Sequence, residues 1–143
     1  MADLKPLIRY RKHGVDEKRR VLAQLYDTAN ALKQEKKDLL NEIEKEKLLA
    51  EDLQTPDVMI SLGSFTALTL KKIEKIDENL ESLEVLINVA QEEMREAFAD
   101  MKKVEITQRN REEAEDKALS KKEAAELDEI GIDQHRRNQN KED

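Results

Sequence analysis

The stretch Ile73–Met94, IEKIDENLESLEVLINVAQEEM, decides the fold, because its large apolar residues recur at alternating steps of three and four. The same steps continue from Leu62 to Val104, and only Thr66 and Thr69 interrupt the apolar series. A spacing of about 3.5 residues places these side chains on one stripe of an α-helix, which must pack against another helix with a left-handed supercoil. The sequence shows no alternation of the kind that indicates a β-strand.

A second series with the same spacing runs from Val15 to Leu53 and is interrupted only by Lys18, Lys36 and Glu46. Two such stripes, separated by one cluster of turn-forming residues, predict an all-α fold: a long antiparallel two-helix coiled-coil hairpin with an overhanging second helix. The residues expected to form the coiled-coil seam are Val15, Leu22, Leu25, Leu32, Leu39, Ile43, Leu53, Ile73, Ile76, Leu80, Leu83, Ile87, Met94, Met101 and Val104.

The turn is predicted from its capping residues. Thr55, Pro56 and Asp57 have the order of a helix N-cap, a proline at the first helical position and an acid in the first turn. Gly63 and Ser64 predict a second interruption. The expected segments are a first long helix with a basic start (1–54), a turn region (55–65), a second long helix with an overhang (66–130) and a disordered tail (131–143).

The two predicted helices differ in length, so the end of the second has no partner helix. The heptad count fails beyond Val104, where it lands on polar residues. An isolated helix is marginal in water, so we expect this overhang to fray unless it docks. Gly131 begins a polar tail whose composition predicts disorder. Gly14 is a further weak point, because a glycine inside a helix costs about 1 kcal/mol relative to alanine.

The composition argues against an enzyme. Charged residues make up 41% of the chain and aromatic residues 3%, and there is no cysteine. His13 and His135 lack the neighbours of a metal motif, and a two-helix hairpin offers no concave site in which a catalytic pKa could be shifted. We therefore expect no catalytic residue, no cofactor and no metal. The start MADLKPLIRY lacks the apolar segment of a signal peptide, and no apolar run reaches the roughly 18 residues of a membrane span.

The basic start is the strongest candidate for a binding site. Although the net charge is −7, residues 5–20 carry seven cations against Asp16 and Glu17. They are Lys5, Arg9, Arg11, Lys12, Lys18, Arg19 and Arg20. One interpretation is an ordinary helix surface paired with acids of the overhang, namely Glu105, Glu112, Glu113, Glu115 and Asp116. The other is a surface for an acidic protein partner. Nucleic acid is not expected, because Tyr10 is the only aromatic residue here and the rest of the chain is acidic.

A set of apolar residues lies off the predicted seam. It has two interpretations: wider core packing or self-association, and a docking face for another helix. The sequence does not separate these interpretations. The residues are Leu40, Leu48, Leu49, Leu70, Val85, Leu86, Val89 and Phe98.

Three stretches resemble the FliJ family, the small coiled-coil component of the flagellar type III export apparatus. They are the opening LKPLIRYRKHGVDEKRRVLAQL (4–25), the second-helix segment SFTALTLKKIEKIDENLESLEVLINVAQEEM (64–94) and the end REEAEDKALSKKEAAELDEIGIDQHRR (111–137). In the last of these, Leu127-Asp128-Glu129 precedes basic residues, as in the family's closing pattern.

The resemblance implies a non-enzymatic stalk that binds the hexameric flagellar export ATPase and links it to the export gate protein and the export chaperones. It implies a cytoplasmic protein, peripherally associated with the inner-membrane export apparatus. The alternatives are a chaperone-like or adaptor hairpin that grips clients through Met59, Ile60, Leu62 and Phe65, and a structural coiled coil that self-assembles. The implied partner-binding residues are Arg9, Arg11, Lys12, Lys18, Arg19, Arg20, Leu127, Asp128 and Glu129.

Overall fold

The computed structural model describes residues 3–142, and two helices account for nearly all of them. Helix α1 spans Lys5–Leu53 and α2 spans Pro56–Glu142, joined by Gln54 and Thr55. The helices pack against each other and no strand occurs in the described range, which confirms the all-α two-helix hairpin. The parts of the predicted 1–54 and 131–143 segments that fall on Met1, Ala2 and Asp143 lie outside the described residues.

The chain divides into two units, and each contains part of both helices. The hairpin unit is His13–Phe98, and the terminal unit is Met1–Lys12 with Ala99–Asp143. In the hairpin unit Lys18 pairs with Glu93 and Lys36 with Asp77, so the two helices run antiparallel. In the terminal unit the amide of Leu4 donates a hydrogen bond of 3.1 Å to Gln108 Oε1.

The seam of the hairpin unit follows the predicted spacing. All the predicted seam residues of this unit are buried or half-buried, except Leu53, which is 64% exposed. Leu53 is the last residue of α1, and the last buried residue before it is Ala50. A seam residue is covered only where an opposing helix lies over it. Leu53 lies directly before the turn at Gln54, so no part of α2 covers it. The buried side chains here are Val15, Leu22, Ala29, Ile43, Ala50, Thr69, Ile73, Ile76 and Ala90.

Three polar residues within the seam, Lys18, Lys36 and Thr69, have partners across or along the helices. Lys18 and Lys36, half-buried at seam positions, reach Glu93 and Asp77 with Nζ–O distances of 3.0 and 2.7 Å. The hydroxyl of Thr69, which is only 4% exposed, donates to the carbonyl of Phe65 at 2.8 Å. A polar residue at a seam position can fix the register of two helices, so the two lysine contacts, which join α1 to α2, favour one alignment. The Thr69 bond lies within α2 and satisfies the buried hydroxyl.

The turn is much shorter than the predicted region 55–65, since only Gln54 and Thr55 are non-helical. The predicted cap is confirmed, because the amide of Val58 donates to Thr55 Oγ1 at 3.3 Å and α2 begins at Pro56. Gln54 has a φ of 33°, which ends α1 in the left-handed region. The interruption predicted at Gly63 is wrong. One glycine costs a helix about 1 kcal/mol, and that is too little to end a capped helix whose seam continues.

The terminal unit contains a short seam and a long exposed helical segment. Met101 is buried and Val104 half-buried, as predicted, whereas every residue from 112 to 141 is exposed. Helix α2 continues to Glu142 instead of ending at Ile130, so the tail expected to be disordered is helical over 131–142. The physical reason is that Gly131 is followed by neither proline nor a second glycine, so nothing after it forces the helix to stop.

Candidate partner-binding site

Two cations of the basic start are used within the terminal unit. Arg11 Nη1 lies 4.0 Å from Asp100 Oδ2, and Lys12 Nζ lies 3.5 Å from Glu105 Oε1. The side chains of Arg11 and Lys12 remain 44% and 57% exposed, so water screens both pairs. Ion pairs of this exposure contribute roughly 0–1 kcal/mol each. Their main effect is therefore to orient the two side chains along α2.

Glu105 contacts two lysines within the terminal unit. Lys102 Nζ donates to its Oε2 at 3.0 Å, while Lys12 lies against the other oxygen. The hydrogen bond from Lys102 is the main cause that lowers the pKa of Glu105 below its usual 4.5; partial burial opposes this shift, and the charge of Lys12 supports it. A carboxylate that is charged more readily holds its cationic neighbours more firmly. Lys12 is thus committed to an internal partner.

Arg9 differs from Arg11 and Lys12. It is exposed, and it makes no ion pair with any residue in the described part of the chain. The neighbouring Tyr10 is 71% exposed. Arginine carries a permanent charge, and arginine and tyrosine are both enriched at protein interfaces. Arg9 is therefore a cation of the terminal unit that is open to solvent.

The hairpin unit shows the same division between paired and unpaired cations. Lys18 is bound to Glu93, and Arg19 Nη1 lies 3.9 Å from Asp16 Oδ1 on its own helix. Arg20 is exposed and has no ion pair among residues 3–142. The unpaired cations of the basic start therefore include one residue in each unit, Arg9 and Arg20.

The interpretation that pairs the basic start with acids of the overhang holds for one of the five acids named for it. Of Glu105, Glu112, Glu113, Glu115 and Asp116, only Glu105 binds a cation of α1 within the described range. Asp100 and Glu93 are partners that the sequence analysis did not name. The usable signal was the register. In an antiparallel pair, the register of the two helices decides which acids of α2 lie beside the cations of α1.

Leu127, Asp128 and Glu129 are not brought next to the basic start by any contact in the terminal unit. All three are exposed. Leu127 lies 15 residues beyond Glu112, the residue at which the fully exposed part of α2 begins, and this separation is about 22 Å along a helix. Leu119 and Ile130, 55% and 54% exposed, share a side of α2 with Leu127, because their spacing is close to whole helical turns. These residues form a separate exposed surface.

The described residues contain no cluster of three or more histidine, cysteine or acidic side chains that could hold a metal ion. Neither helix has, between residues 3 and 142, a segment both long and apolar enough to cross a membrane. Comparison of the chain with protein-family models, with curated proteins and with solved structures gives no match. The candidate site must therefore be judged on its own geometry, a group of exposed cations on helix α1.

Proposed function

We propose that the chain is a non-enzymatic stalk of a bacterial flagellar type III export apparatus, binding the export ATPase hexamer through its basic start. The observation that carries the proposal is that Lys5, Arg9 and Arg20 are exposed and form no ion pair among residues 3–142 of an acidic protein. The other cations of the basic start, Arg11, Lys12, Lys18 and Arg19, each lie against an acid of the chain. The likeness of residues 4–25, 64–94 and 111–137 to the FliJ family supplies the identity of the partner.

The role of the unpaired cations would be electrostatic. Acidic loops of a ring would attract Arg9 and Arg20 before contact, which raises the association rate and sets the orientation of the stalk. Such contacts are screened over about 8 Å at physiological ionic strength. The residues would orient the stalk without taking part in ATP hydrolysis, since they bring no general base and no metal ligand to the nucleotide.

The exposed segment 112–141 supports the second half of the proposal, a link from the ATPase to other export components. Its helix has no partner in the terminal unit, and Leu119, Leu127 and Ile130 lie on one side of it. Helices of this kind bind in grooves of partner proteins through apolar residues spaced by whole turns. We assign this segment to contacts with the export gate protein and the export chaperones, at the cytoplasmic face of the inner membrane.

A binding experiment tests whether Arg9 and Arg20 contact the export ATPase. Calorimetry of the chain with the cognate flagellar export ATPase, at low and at physiological salt, should give an affinity that falls as salt rises. Arg9→Glu and Arg20→Glu should each weaken binding about tenfold or more. Lys37→Glu is the matched control, because Lys37 is an exposed lysine of α1 without an ion pair in residues 3–142. Equal affinity of all three variants, or affinity independent of salt, would contradict the proposal.

A further inference from the structure

An open groove lies beside the turn within the hairpin unit, and the proposed stalk function leaves it unused. Its volume is about 570 Å³. The floor is apolar and is formed by both helices, with Leu49 and Leu53 from α1 and Val58, Leu62 and Phe65 from α2. We name it the turn groove.

The turn groove exposes apolar surface that the seam does not cover. Leu49 is 54% exposed and Leu53 64%, whereas Ala50 between them is only 5% exposed. A second groove of about 530 Å³ shares Ala50 and Leu62 with the turn groove and includes Met59, which is 54% exposed. Contiguous exposed apolar residues in a rimmed groove are typical of a binding site and not of ordinary surface.

The rim of the turn groove is negatively charged. Glu46 and Asp57 line it, no lysine or arginine does, and neither acid forms an ion pair among the described residues. The surrounding sequence has the same sign. Residues 42–57 carry the acids Glu42, Glu44, Glu46, Glu51, Asp52 and Asp57 against Lys45 and Lys47. An occupant with cations beside its apolar residues would therefore be favoured over an acidic or neutral one.

The backbone of the groove limits the form of the occupant. Both walls are helices, and neither presents the edge of a β-strand. An extended peptide would find no free edge to pair with, whereas a helix can seat its side chains between two others by ridge-and-groove packing. A second copy presenting its own turn would bring two acidic rims together, which disfavours that arrangement.

We propose that the turn groove binds one amphipathic helix of a partner protein, with apolar residues at helical spacing flanked by lysine or arginine. This inference does not rest on the stalk function, because none of its residues belongs to the basic start. The apolar residues of the helix enter between Leu49 and Phe65, and its cations pair with Glu46 and Asp57.

The test uses two synthetic peptides of about 18 residues. Both place leucines on one helical face; in one the flanking residues are lysines, and in the other they are glutamates. Each peptide carries a fluorophore, and its binding to the full chain is followed by fluorescence anisotropy. The lysine peptide should bind at least about tenfold more tightly than the glutamate peptide, and the difference should shrink as salt is raised.

Matched variants locate the binding surface. Leu49→Ser and Leu53→Ser, both at exposed positions that leave the fold intact, should each weaken the lysine peptide about fivefold or more. Leu86→Ser, at a position 52% exposed and outside the groove, should change nothing. Glu46→Gln should reduce the preference for the lysine peptide, and Glu96→Gln, an exposed acid elsewhere on α2, should not.

Three results would overturn the proposal. The first is that neither peptide binds, or that both bind equally. The second is that the groove variants bind as the unaltered chain does. The third is a dimer, seen by sedimentation, that Leu49→Ser and Leu53→Ser dissociate, since a second copy would then occupy the groove. If Leu49→Ser and Leu53→Ser lose peptide binding but still bind the export ATPase, the groove and the basic start act separately.

Discussion

Replacing Ile76 by alanine tests whether the seam holds the hairpin unit together. Ile76 is 5% exposed and occupies a seam position on α2. Its neighbours in the seam are Ile73, which is buried, and Leu80, which is half-buried. Large-to-small changes at buried sites cost about 2–5 kcal/mol. We expect the lower part of that range, about 2–3 kcal/mol, because a two-helix seam lies near solvent and can relax around the lost atoms. The folding equilibrium constant should fall roughly 30- to 150-fold.

The assay follows urea unfolding through Tyr26, in a Tyr10→Phe background that leaves one fluorophore. Tyr26 reports on the hairpin unit, because Gln91 Nε2 on α2 donates a hydrogen bond to its hydroxyl. The matched control is Val85→Ala on the same helix, where the side chain is 63% exposed and the change should be below about 0.5 kcal/mol. A loss below about 1 kcal/mol for Ile76→Ala, or equal losses for both variants, would refute the seam.

Three further changes test the turn, the seam and the terminal unit. Gln54→Gly should raise the unfolding free energy by about 0.5–1 kcal/mol in urea titrations, because φ at residue 54 is 33°. Thr69→Val should be neutral or raise it by up to about 1 kcal/mol in the same titrations, since the hydroxyl is buried and its only acceptor is the Phe65 carbonyl. Glu105→Gln should destabilise the protein at neutral pH; because the folded pKa of Glu105 lies below 4.5, the difference should vanish as circular dichroism melts are taken to lower pH, through that pKa.

The fold could be predicted because one stripe of apolar residues has a helical period and needs a partner. Ile73, Ile76 and Val15 are buried where the spacing puts them. The prediction failed at Leu53, because periodicity shows which side of a helix is apolar but not where the opposing helix stops covering it. It failed at Gly63 and Gly131 for a different reason. Helix propensity gives the free-energy cost of one glycine. Whether the helix continues depends also on the stability of the helical residues on either side of that glycine.

The binding site could be predicted only in part. Charge clustering identified the basic start, but it does not show which cations are already bound. That depends on the register of the two helices, which brings Lys18 to Glu93 and Arg11 to Asp100 and leaves Arg20 exposed. The turn groove was not predicted. Its floor is formed by the end of α1 together with the start of α2, and the sequence does not show how the side chains of these two segments pack together.

The most direct test of the central claim is the hydrolysis rate of the cognate flagellar export ATPase, measured with and without this protein. We predict stimulation by the unaltered chain and by Lys37→Glu. We also predict that stimulation is lost in a variant carrying both Arg9→Glu and Arg20→Glu, while its circular dichroism spectrum is unchanged. Stimulation that survives the double reversal would contradict the role of the basic start, and the absence of both stimulation and binding would contradict the stalk function itself.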